Sequence, residues 1–110
     1  MARIFGALQS RLLATLADVI DGDFEVVESR EREWASATFC GARHSFDLRL
    51  SIASADAPLP DGLSQLSDVE FDLQGSIVAD CCVREIVRSR DPDGDNLALI
   101  RVEFLTIEDR

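Results

Sequence analysis

The sequence predicts an α+β domain in which an N-terminal amphipathic helix packs on a curved antiparallel sheet of five or six strands arranged as a meander. Two changes of pattern carry that expectation. Apolar residues recur every three or four positions up to residue 20, then every second position from residue 24 onward. The alternating runs are separated by short turns rather than by crossover helices, which favours antiparallel pairing of consecutive strands. The chain has 110 residues, so residues 1–110 read as a single domain with one core.

The helix is expected over residues 3–20. Phe5, Leu8, Leu12, Leu16 and Val19 form its apolar stripe, with Ile4, Leu13 and Ile20 on the flanks and Arg11, Thr15 and Asp18 opposite. Gly22 stands where a left-handed residue would end it. Residues 24–32 then read as a strand through Phe24, Val26 and Val27. Residues 34–40 and 44–52 read as a hairpin around Gly41. The second arm alternates cleanly, with Phe46, Leu48, Leu50 and Ile52 on one face and Ser45, Asp47, Arg49 and Ser51 on the other. Ala53 to Asp68 holds Pro58, Pro60 and Gly62 and reads as a crossing loop, with a helical turn near Leu63 to Leu66.

Val69, Phe71, Leu73, Ile77, Ala79, Cys81 and Val83 share odd parity, around Gly75. A two-residue hairpin at Gly75-Ser76 would set Phe71 against Asp80, so either a three-residue loop or one long strand bent at Gly75 is required. Ser89 to Asn96 is a turn in which Asp93-Gly94 suits a hairpin. The last strand, 97–107, places Ala98, Ile100, Val102 and Phe104 on one face, while Leu97, Leu99, Leu105 and Ile107 share the other with Arg101 and Glu103.

Charge narrows the function classes. There are 21 acidic and 11 basic residues, for a net charge of −10. Such a surface repels phosphate, so nucleic acid and anionic membranes are not expected partners, and a basic protein partner is favoured. Every basic residue is arginine. Without lysine there is no Walker-type phosphate loop, no Schiff base and no ordinary pyridoxal-phosphate anchor, and no other cofactor signature appears. An arginine-only, alanine-rich composition also fits a GC-rich, bacterial genome. No apolar run approaches the ~20 residues of a membrane span, and Arg11 and Asp18 interrupt the N-terminal apolar stretch, so no secretory signal is read. Three cysteines do not make a disulfide framework, which points to a reducing, cytoplasmic compartment.

The candidate sites are few. His44, the lone histidine, shares parity with Phe46 and Leu48 and belongs to the core face or its rim. It is either a structural histidine or a proton-transfer group in a pocket between helix and sheet, where a ligand or an acid–base reaction would be served. Trp34 and Arg49 face each other if the Gly41 hairpin has a two-residue loop, giving a cation–π pair at a ligand surface; a three-residue loop turns Trp34 inward. Cys81 and Cys82, being adjacent in a strand, point to opposite faces and do not make a metal pair with Cys40 and His44. Asp91, Asp93 and Asp95 resemble the start of a calcium loop, but Asn96 stands where that pattern needs glycine and Val102 where it needs glutamate, which leaves an acidic turn. Arg84, Arg88 and Arg90 near one sheet end suit cross-strand ion pairs. No metal site and no catalytic constellation is read.

Val78, Ile86, Leu99, Leu105 and Ile107 are left over once the core is assigned. A monomer seldom exposes such a set in one patch, so a homodimer through the second sheet face is expected. A helix followed by a curved meander is similar in architecture to cystatin-like cones and to the acidic dimeric chaperones of bacterial secretion. No motif of either family is present and no long third helix closes the chain, so the likeness implies architecture and no activity. The expected function is therefore a non-enzymatic protein-interaction module. The alternatives are the His44 pocket and mimicry of nucleic acid by the acidic surface, against which the interspersed arginines speak.

Overall fold

The computed structural model describes residues 6–21, 23–71, 73 and 75–108. Helix α1 spans Ala7–Ile20, followed by strands β1 (Glu25–Ala35) and β2 (Cys40–Ser51), a 3₁₀ helix at Asp61–Asp68, and strands β3 (Ser76–Arg90) and β4 (Asn96–Glu108). The α+β class and the antiparallel sheet agree with the sequence. The predicted strand count does not, since the sheet has four strands in the order β1-β2-β4-β3. The order also differs from a simple meander, because β4 lies between β2 and β3.

Two predicted elements account for the difference. Residues 24–32 and 34–40, read as two strands, form the single strand β1 and the turn after it, and the hairpin loop is Ser36 to Phe39 rather than Gly41. Ser36 closes this loop: its hydroxyl accepts from the Phe39 amide at 3.0 Å, and its own amide donates to the Phe39 carbonyl at 2.7 Å. Gly41 lies inside β2, where a Cβ would collide with the Thr106 carbonyl, so close backbone approach explains the glycine. The alternation over Val69, Phe71 and Leu73 does not mark a strand. This extended segment lies outside the sheet, with Phe71 and Leu73 packed on the core, and Gly75, at φ 77°, leads into β3. Gly75 is thus neither a hairpin loop nor a bend within one long strand.

The core lies on one face of the sheet. Ala42, His44, Phe46, Leu48 and Leu50 of β2 and Ala98, Ile100, Val102, Phe104 and Thr106 of β4 are buried there. Leu12, Leu13, Leu16 and Ile20 of α1, with Leu63 and Leu66 of the 3₁₀ helix, cover them. The helical stripe matches its prediction from Leu8 onward; the part at residues 3–5 and the stop at Gly22 lie outside the described residues. Asp21 takes the left-handed conformation at the helix end, with φ 53°. Phe104 meets Phe46 and Phe71 edge to face, with ring centroids 6.0 and 5.3 Å apart.

Two β-bulges in β3, between Val78 and Asp80 and between Val83 and Glu85, change its parity twice. Antiparallel partners share a face, so Val78 (opposite Thr106), Cys81 (opposite Phe104), Val83 (opposite Val102) and Ile86 (opposite Ile100) all belong to the core side. Ile77, counted with the core by parity, pairs with Ile107 on the other side and is 53% exposed.

Phe104→Ala removes the ring that joins β4, β2 and the 69–73 segment. Urea unfolding should show a loss of about 3–5 kcal/mol, and a smaller loss for Phe104→Leu, which keeps part of the buried volume.

Candidate functional site

Five rows of paired residues cross all four strands on the second face of the sheet, with Ser51, Leu97 and Ser89 beyond the first of them, and no helix among the described residues lies over it. From one end these are Glu25, Arg49, Leu99 and Val87; then Glu28, Asp47, Arg101 and Glu85; then Arg30, Ser45, Glu103 and Cys82. Arg32, Arg43, Leu105 and Asp80 follow, and Trp34, Gly41, Ile107 and Ile77 close the series. On β4 and β3 the first and last of these rows are apolar, Leu99 with Val87 and Ile107 with Ile77, and charged residues dominate the rows between. Near one end Val27, Val87 and Leu99 border a notch of about 170 Å³.

In the charged rows, Asp47 accepts hydrogen bonds from Arg101 at 2.8 and 3.3 Å and from Arg30 at 3.3 Å. The Arg101 hydrogen bond holds the Asp47 carboxyl below its ordinary range, against burial that pushes it upward. Arg84 donates to Glu103 at 2.9 Å. These are solvent-screened pairs that contribute little to stability. Arg32 and Arg43 differ from them. They stand directly opposite one another, and among the described residues neither has an ion-pair partner. Like charges in that position weaken a strand pair.

The predicted site residues are divided between the faces. Leu99, Leu105 and Ile107 share the uncovered face, whereas Val78 and Ile86 belong to the helix side because of the bulges. Trp34 and Arg49 do not meet: Trp34 pairs with Gly41 and Arg49 with Glu25, at opposite ends of the hairpin, which removes the cation–π pair. His44 lies on the helix side, away from both. The arginines read as ion-pairing groups are engaged: Arg84 as above, Arg88 on the carbonyls of Ala55 and Ala57 at 3.2 and 2.6 Å, and Arg90 on Asn96 at 3.3 Å. In the β3–β4 turn Asp91 accepts from the Asp95 amide at 2.8 Å, so its carboxylate serves the turn. Cys81 is buried, and burial above all, with Cys82 and Asp80 nearby, pushes its thiol up to about 12. Cys82 lies on the opposite face, as alternation requires.

His44 is 0% exposed. Its Nε2 lies 3.2 Å from Thr106 Oγ1, and the Thr106 hydroxyl donates to the Ala42 carbonyl at 3.2 Å. Thr106 accepts from Nε2 or donates to it according to the ring's tautomer. Nδ1 has no hydrogen-bond partner and lies 3.7 Å from Glu31 Oε1. Burial lowers the His44 pKa below the ordinary 6.5, and the Glu31 carboxylate raises it in part. Sequence spacing did not reveal Glu31 or Thr106 as neighbours of His44, because they are joined only by the β1-β2-β4 register.

A hollow of about 450 Å³ at this end of the sheet is lined by Leu8, Glu31, Glu33, Ala42, Thr106 and Glu108 among others, and His44 is not part of its lining. A larger hollow of about 800 Å³ at the far end of α1, with Leu50 and Ile52 among its lining residues and Asp21, Asp23 and Asp61 beside them, contains no buried polar side chain lacking a partner. Among the described residues no group of His, Cys, Asp and Glu is arranged to hold a metal ion, and no helix is long and apolar enough to cross a membrane. No family model, curated protein or solved structure matches the chain.

The buried histidine sets a pH window. Its folded pKa is depressed, so the unfolded chain binds the proton first as pH falls below 6.5. Stability should fall between that value and the lower folded pKa, then cease to depend on His44. Chemical denaturation across this range should show the slope in the natural protein and lose it in His44→Gln, whatever the variant's own offset.

Proposed function

We propose that the protein is a non-enzymatic interaction module that acts as a homodimer, with two copies stacked through the uncovered sheet face. The observation that carries this is the row pattern. Ile107 and Ile77 stand in the last of the rows that cross all four strands, and Leu99 and Val87 in the first. A two-fold axis running across the strands at the middle row lays each of these pairs over the other in the second copy. The same operation sets Arg32 over Glu28 and Arg43 over Asp47, giving carboxylate partners to the opposed arginines. Asp80 then approaches Glu85, and this contact opposes the arrangement.

The size is appropriate. Four strands about 4.8 Å apart, over eleven paired positions of about 3.3 Å each, present roughly 700 Å². A standard interface buries about 800 Å² per partner. The acidic surface outside this face favours a basic protein as a further partner. Free cysteines, one buried and two partly so, fit a reducing compartment such as the cytoplasm.

Light scattering coupled to size exclusion should give twice the chain mass at micromolar concentration. Leu99→Glu and Ile107→Glu should each weaken dimerisation about 10- to 100-fold while leaving the far-UV spectrum unchanged. A natural protein that stays monomeric under these conditions would remove the proposal. Exchanging charges in Arg43→Asp should also favour the monomer, and adding Asp47→Arg should restore the dimer in part.

A further inference from the structure

We propose that the uncovered face binds a small amphipathic carboxylate, a monoanion with an aryl or short alkyl body. Arg32 and Arg43 grip its carboxylate, and its body lies against Leu105 and Ile107. The site is complete in one copy of the chain. In the pairing proposed above the same arginines would meet Glu28 and Asp47 of the second copy, so ligand and second copy compete for them.

The first argument is unmet charge. Arg32 and Arg43 are exposed and stand directly opposite one another on β1 and β2. Arg30, Arg49, Arg84 and Arg101 of the same sheet each have a carboxylate partner at 2.7 to 3.5 Å, whereas these two have none among the described residues. Two carboxylates close to them in register serve other roles or stand too far away. Glu103 is bound by Arg84 at 2.9 Å, and Asp80 lies beyond Leu105 in the same row, two strand spacings or about 9.6 Å from Arg43. Opposed guanidiniums repel, and an anion between them removes the repulsion. A planar carboxylate offers an oxygen to each. The net charge of −10 opposes multiply charged anions, which favours a monoanion over phosphate.

The second argument is the apolar surface beside the arginines. Leu105 pairs with Arg43, and the next row carries Ile107 and Ile77 beside Gly41, which brings no side chain to cover the backbone. Leu105 and Ile107 are half-buried, and Ile77 is 53% exposed. Beyond them a hollow of about 370 Å³ has Phe39, Ile77 and Ile107 in its lining. That volume falls within the roughly 300–1,000 Å³ of small-molecule sites. Neither arginine lines the hollow; they stand one row inward. Two residues along a strand cover about 6.6 Å, so a spacer of about two or three carbons carries an aryl ring from the arginines to Ile107 and the edge of the hollow. 3-Phenylpropionate has that form.

The full chain carrying Leu99→Glu, a change at the other end of the face, keeps the site open whether or not natural copies pair. Calorimetric titration of this variant with sodium 3-phenylpropionate should saturate at one ligand per chain. 3-Phenylpropanamide lacks the charge and acetate lacks the body. Each should bind at least about tenfold more weakly, as should inorganic phosphate. Adding Arg32→Gln or Arg43→Gln should weaken 3-phenylpropionate about tenfold or more. Neither change should lower the melting temperature of the free protein, since each removes the repulsion within the pair. Arg49→Gln, in the first row, should leave binding unchanged. In the natural protein, saturating 3-phenylpropionate should shift a dimer toward monomer. A natural protein that is monomeric and still binds overturns the pairing and supports the site. A non-saturating response, equal binding of the amide, acetate or phosphate, an equal loss in Arg49→Gln, or undiminished affinity in both arginine variants would each overturn the assignment.

Discussion

Because β2 pairs with β4 and not with β3, the two most apolar strands meet in the middle of the sheet, and the other elements are arranged around them. Phe46, Leu48, Val102 and Phe104 are buried at this junction. Each such side chain contributes roughly 1.5–3 kcal/mol by leaving water. The central position also explains the long connection from β2 to β3. Between the two strands the 3₁₀ helix and Phe71 cover core that α1 does not reach. With α1, the 3₁₀ helix and Phe71 all on one side, no helix among the described residues covers the other. The uncovered face is a consequence of how the core is closed.

The sequence was most readable where one pattern ran unbroken. The even positions of β2 and β4 alternate without interruption, and both strands place those residues in the core. The helix from Leu8 to Ile20 was readable for the same reason. Errors arose where alternation had a different cause or was interrupted. Val69, Phe71 and Leu73 alternate because an extended segment lies on the core, and alternation does not distinguish that from a strand in the sheet. In β3 the bulges return Val78 and Ile86 to the core side and turn Ile77 outward. Nothing in the local sequence marks a bulge there, since no glycine or proline stands at either position. The neighbours of His44 were not readable at all. Glu31 and Thr106 come from strands on either side, and only the register of three strands brings them to the imidazole.

His44 lies where the apolar part of the core face ends. The row Glu31, His44, Phe104, Cys81 is half polar, and the next, Glu33, Ala42, Thr106, Val78, has lost its large apolar groups. A histidine at this boundary is held on one side by the hydrogen bond to Thr106 and faces a carboxylate on the other.

The edges of the sheet bear on the proposed pairing of copies. β1 is dense in charge, with Glu25, Glu28, Arg30, Glu31, Arg32 and Glu33 along an edge that would otherwise accept another strand. β3, the other edge, is long enough to recruit a strand and exposes Ile86 and Val87, but its bulges interrupt the regular spacing of hydrogen-bonding groups. Charges and bulges are the ordinary means of preventing edge-to-edge growth. Pairing through an edge would also leave the uncovered face in water, with Leu99 at 37% exposure and Val87 at 44%. Face-to-face stacking covers those residues and closes on itself after two copies, whereas strand addition at two edges can continue without limit. The defended edges and the undefended face therefore favour the same mode of association.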